Sequence, residues 1–109
     1  MNKGAKAAQL ADQIRDHLAA WIRKDFPGCL VSVTQVQLSM NLQQATVWLE
    51  CFDEASKKYV PKIQQRQGEY QRELYRHMRR FALPTIHFAL SSAFEDQERI
   101  EQLLKSEEI

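Results

Sequence analysis

Glycine, proline and cysteine are all scarce here: three, three and two residues in a chain of 109. Each scarcity excludes something. Cys29 and Cys51 fit no zinc site, whose ligands come in close pairs, and both lie in apolar stretches. They are expected to be small buried hydrophobes rather than a disulfide. Gly68 is no phosphate-loop signature, and no cofactor is expected. His17, His77 and His87 fall on different predicted elements with no ligand spacing, so no metal is expected either. No Ser/His/Asp or Cys/His arrangement is suggested, so no residue is assigned a catalytic role and the chain is not expected to be an enzyme. No apolar run nears the roughly 18 residues of a membrane span, and nothing at the start reads as a secretion signal. The expectation is a soluble cytoplasmic protein with no membrane partner.

Excess charge of one sign is also missing, since the net charge is only +1. Its distribution is uneven. Residues 57–80 hold eight basic side chains, Lys57, Lys58, Lys62, Arg66, Arg72, Arg76, Arg79 and Arg80, against Glu69 and Glu73. Residues 93–109 hold Arg99 and Lys105 against six carboxylates. A near-neutral chain therefore contains a basic segment followed by an acidic tail. Glu69 and Glu73 stand at helix-neighbour spacing from Arg72, Arg76 and His77, which pairs part of that charge internally.

At 44% hydrophobic the chain can bury a real core, and its length suits one domain, 1–109, with 1–5 as a flexible lead and 93–109 as an acidic helix or tail. Leu10, Ile14, Leu18, Trp21 and Ile22 form one stripe of an amphipathic helix over 7–25, stopped by "FPG". "LVSVTQVQL" reads as a strand in which Val31 and Val33 share one parity and Val36 and Leu38 the other. That switch near Thr34 and Gln35 indicates a bulge or burial on both faces. "SMNLQQ" is a turn. "ATVWLECF" is a second strand, Ala45, Val47, Leu49 and Cys51 on one face and Trp48 and Phe52 on the other, exposed little on either side. A helix then starts between Ser56 and Val60, with Pro61 in its first turn. Its stripe runs through Tyr70, Leu74 and Met78 to Phe81, where "ALP" breaks it. "TIHFALSS" is a third strand with Ile86, Phe88 and Leu90 inward.

The order is α-β-β-α-α-β, an α+β fold with helices on one face of a three-stranded sheet. A single helix from Lys57 to Phe81 would run nearly 40 Å at about 1.5 Å per residue. Eight-residue strands reach only about 25 Å. The helix must bend to stay on the core, and Gly68 is the expected bend, since no Cβ resists a change of φ there. A bend also frees backbone N–H groups at the start of the second segment, among arginines. Leu74, Phe88, Val47, Leu18 and Trp21 are expected to meet in one core. Tyr59 and Tyr70 fall on the apolar stripe, which leaves Tyr75 as the exposed tyrosine.

In order and spacing, "VSVTQVQLSMNLQQATVWL", "GEYQRELYRHMR" and "LPTIHF" together resemble the ribosome-binding factor A family, over roughly residues 6–104. Ser39, Leu42 and Ala45 match its turn and second strand, with Asn41 where the family has Asp. Gly68 matches the glycine of its kink, with Arg66 in place of an alanine. Glu73, Leu74, Met78, Arg79, Pro84, Ile86 and Phe88 also match, whereas Gln71 stands where an arginine is common. The resemblance implies a KH-type domain of the second topology and a non-enzymatic monomer. It implies binding to the small ribosomal subunit and its ribosomal RNA, with a part in late RNA maturation, notably in the cold. "RQGEYQ" has one glycine where KH domains that clamp single strands have a Gly-x-x-Gly loop, so phosphate and shape contacts are expected instead. The expected RNA-binding residues are Lys57, Lys58, Lys62, Arg66, Gly68, Arg72, Arg76, Arg79 and Arg80. The competing expectation is a protein-interaction module whose basic helix docks an acidic partner.

Overall fold

Alternation of Ala45, Val47 and Leu49 with Thr46, Trp48 and Glu50 gives one strand a wholly buried face, and the computed structural model sets that strand at the centre of the sheet. The structure describes residues 3–91; the expected C-terminal helix over 93–109 lies outside them. Strand β2 (Gln44–Cys51) pairs antiparallel with β1 (Val31–Leu38) and parallel with β3 (Thr85–Leu90), in the order β1-β2-β3. The parity switch in β1 is a bulge: Val33 faces Leu49, Gln35 faces Trp48, and Thr34 is the extra residue. The bulge lets both Val33 and Val36 point into the core.

The turn between β1 and β2 is held by its own side chains. Asn41 Oδ1 accepts from Ser39 Oγ at 2.7 Å and from the Gln43 N–H at 3.1 Å, and Ser39 Oγ accepts from the Gln44 N–H at 3.0 Å. Leu42 sits at φ 59° inside this frame. The Asn41 amide oxygen thus caps the turn without a charge.

Helix α1 (Lys3–Asp25) begins ahead of the expected residue 7 and buries Leu10, Ile14, Leu18 and Ile22. A 3₁₀ segment, Glu54–Lys58, is capped by Asp53, whose Oδ1 accepts from the Ser56 N–H at 2.8 Å. Buried Ser56 in turn accepts from the Leu30 N–H at 2.9 Å. Then come α2 (Tyr59–Gln65) and α3 (Gln67–His77). All three helices cover one face of the sheet. The opposite face is more open than expected: Trp48 is half-buried, its Nε1 donating to Gln37, and Phe52 is 62% exposed. The two cysteines are half-buried and unpaired. No helix among the described residues is long and apolar enough to cross a membrane.

The helix pair is kinked, but the break is at Arg66, not at Gly68. Arg66 has φ −88° and ψ 8°, a bridge conformation open to any L-residue, and its N–H closes on Ile63 O at 3.0 Å. Gly68 lies inside the first turn of α3, with nothing within 4 Å of where a Cβ would stand. The second correction concerns the end of α3. Met78 leaves the helical conformation at φ −129° while its side chain stays buried, so Arg79 and Arg80 lie in the loop toward Pro84 rather than on the helix.

Candidate nucleic-acid interface

Helix α3 is divided by its periodicity into three flanks. Tyr70 and Leu74 are buried, and Met78 continues their line. Arg72 and Arg76 point to solvent on the side away from that line. His77 faces α1, as does Arg66 just ahead of the helix, Glu73 lines the cleft between the two helices, and Gln71 faces β3. This arrangement decides the fate of each basic residue.

Arg66 is tied into the fold. Its guanidinium pairs with Asp25 Oδ2 at 3.0 Å and lies 5.1 Å from the Phe26 ring centroid. The same Asp25 oxygen accepts from the Tyr70 hydroxyl at 2.8 Å. Burial, then the hydrogen bond to Asp25 and that carboxylate's charge, raise the Tyr70 pKa far above the usual phenol range. Tyr70 therefore stays a protonated donor at any physiological pH. This network joins the C-terminus of α1 to the break between α2 and α3. Arg66 braces the kink.

Arg76 pairs with Glu73 at 3.2 Å, while Arg72 Nε donates to Gly68 O at 3.4 Å and pairs with no carboxylate among the described residues. Arg79 and Arg80 are exposed and likewise make no ion pair with a described residue. Lys57 bonds Glu54 at 3.1 Å. Lys58 and Lys62 flank the Tyr59 ring, at 5.3 and 5.6 Å from its centroid, so these three lysines gather at the start of α2, apart from the arginines of α3. Gly68 presents no side chain and only supplies the carbonyl that Arg72 touches.

Between α1 and α3 lies an open cleft of about 750 Å³, which joins Arg66, Arg72 and Arg76 to Lys24 and Asp25. Its aromatic lining is Trp21, Tyr70 and His77, and His17 adjoins them outside the lining. His17 stacks on Trp21 at 5.3 Å, Trp21 lies 6.3 Å from Tyr70, and His77 leans on Trp21 at 5.4 Å. His17 and His77, far apart in sequence, are 5.6 Å apart in space. The contribution of α1 escaped the sequence reading. Its trace was Trp21 and Asp25, one helical turn apart at the end of the stripe. Among the described residues no cluster of His, Cys, Asp and Glu could hold a metal ion.

The family profile of ribosome-binding factor A matches residues 6–104. The chain belongs to the ribosome-binding factor A family. A ribosome-binding factor A from Thermomicrobium roseum is 29% identical over 105 residues, which cover 92% of this chain and 81% of the relative. One from Mycoplasmopsis pulmonis is 29% identical over 76 residues, 70% of this chain and 67% of the relative. The crystal structure of ribosome-binding factor A from Thermus thermophilus superposes with a TM-score of 0.64 at 25% identity, covering 76% of this chain and 93% of that one. A solution structure from Thermotoga maritima, at 22% identity and a TM-score of 0.65, covers 82% of this chain and 90% of its own and shares the fold. The KH-like α+β architecture of the chain agrees with the structures of the family.

Proposed function

We propose that the protein is a ribosome-associated binding factor, not a catalyst, which attaches to ribosomal RNA of the free small subunit and assists its late maturation. On this reading it acts in the cytoplasm as a single-domain monomer without a cofactor. Relatives named for binding ribosomes support the ribosomal partner. The observation that carries the RNA contact is the segregation along α3 and the loop after it. Arg72, on the side of a rigid helix away from its buried line, and Arg79 and Arg80, in the loop that follows it, are exposed and unmatched by any described carboxylate. Such cations serve phosphate oxygens, and the absence of a Gly-x-x-Gly loop favours backbone and shape recognition over base-by-base reading along a strand. Arg76 joins them with part of its charge already matched by Glu73. Arg66 stands in support, and the lysines around Tyr59 form a second, smaller basic site.

Co-sedimentation with free small subunits, large subunits and assembled ribosomes, each at two salt concentrations, tests the reading. The expected result is enrichment on free small subunits that falls as salt rises. Equal pelleting with all three particles, or binding indifferent to salt, overturns it. Binding that survives RNase treatment and is reproduced by acidic proteins alone supports the protein-docking alternative.

A further inference from the structure

The cleft between α1 and α3 shares Arg72 and Arg76 with the exposed arginine stripe but adds carboxylates and an aromatic wall. Its cations are nearly balanced by carboxylates: Arg66 is held by Asp25 and Arg76 by Glu73. Lys24, Arg72 and Glu69 line it without an ion pair to a described residue. Its wall is aromatic, with His77 about half exposed and Trp21 half-buried. A bare phosphate would gain from Lys24 and Arg72 but meet three carboxylates, and an acidic peptide fits no better. A nucleotide answers all three features together. Its base offers a flat face to the imidazole and indole, its phosphate suits the two cations, and its N–H edge suits a carboxylate. Guanine alone presents two adjacent N–H donors on that edge, a match for both oxygens of Glu69.

We propose that this cleft receives an unstacked guanine nucleotide of the bound RNA, its base against His77 and Trp21, its N–H edge on Glu69 and its phosphate on Lys24 and Arg72. The proposal rests on the RNA-binding reading above and adds to it a pocket for one base. The cleft volume, about 750 Å³, lies inside the roughly 300–1,000 Å³ of small-ligand sites.

Trp21 is itself the reporter. In full-length protein carrying Trp48→Phe, Trp21 is the remaining tryptophan. The probes are a short single-stranded RNA with one unpaired guanine, the same strand with inosine in its place, and a blunt duplex. RNA binding is followed separately by filter retention. The guanine strand is expected to quench Trp21 saturably, the duplex to be retained on the filter without quenching, and inosine, which keeps N1–H but lacks the 2-amino donor, to weaken the quenching complex about tenfold, the loss of one hydrogen bond to a charged group. Glu69→Gln should abolish the preference for guanine over inosine while leaving duplex retention unchanged. If every RNA is retained but Trp21 responds equally to duplex and single strand, or to none, the pocket is wrong and the RNA reading stands. If guanine and inosine quench alike in the parent protein, the guanine assignment is wrong. If no RNA is retained even at low salt, both readings fail.

Discussion

The two sides of α3 solve opposite problems. Toward β3 the helix is sealed. Gln71 Nε2 donates to Pro84 O at 3.0 Å and its Oε1 accepts from the Ile86 N–H at 2.8 Å, while Gln64 of α2 donates to Phe88 O at 3.3 Å. Neutral amides thus satisfy the outer edge of an edge strand, a place where bare backbone invites pairing with other chains. Toward α1 and solvent the helix is left open, with charges only partly paired over an aromatic wall. Position 71 and position 72 are neighbours in sequence, yet one is a fastener and the other a free cation. Gln71 is therefore a structural residue and not a binding group, because its side chain points into the fold.

Substitutions can break this contrast or sharpen it, in decreasing order of their effect on stability. Leu74 lies fully buried beneath both sides, so Leu74→Ala should undo both, lowering the unfolding free energy by about 2–5 kcal/mol in denaturant titration. A loss under about 1 kcal/mol would show that α3 is out of phase with the core. Gln71→Ala should harm only the sealed side. It strips two backbone groups of their partner and should lower stability by about 1–3 kcal/mol with subunit affinity unchanged once the protein is folded. Gly68→Ala should act in the opposite direction. The residue is helical with open space at its Cβ, so the variant should gain up to about 1 kcal/mol and bind as before. A destabilised variant would restore Gly68 as the hinge. Arg72→Glu with Arg79→Glu should leave stability within about 0.5 kcal/mol yet weaken small-subunit binding. Each lost phosphate contact should flatten the log–log salt dependence by about one unit. Unchanged binding would move the RNA surface off α3 and the loop after it.

The apolar pattern carried most of the architecture. The alternation of Ala45, Val47 and Leu49, the parity switch at Thr34 and the stripe of α1 each left a mark that the structure repeats, because burial selects residue type position by position. The kink was legible through length, and its position was not. Glycine marks where a chain can bend easily, but Arg66 needs only a bridge conformation and two outside anchors, Asp25 and Phe26, to bend there. Those anchors are tertiary, and no local signal announces them. The same limit applied to the site. A count of basic residues treats Arg66, Arg72 and Arg76 alike, whereas the partners that separate them come from α1 and from Glu73. The cleft itself depends on two helices meeting, which brings His17 and His77 together from elements that sequence spacing keeps apart.

The parallel pairing of Gln44 with Thr85 has a kinetic meaning. β1 and β2 can zip together across the short turn at residues 39–43, a local event on the microsecond scale for hairpins. β3 can join only after the whole helical crossover has condensed, a closure over a much longer stretch of chain. Its docking is then a late step, and Ile86→Val in stopped-flow experiments should speed unfolding more than it slows folding. Until that step the flank of β2 is a naked template for any passing strand. Gln64 and Gln71 travel on the crossover that delivers β3, so the segment that completes the sheet also brings the caps that end it.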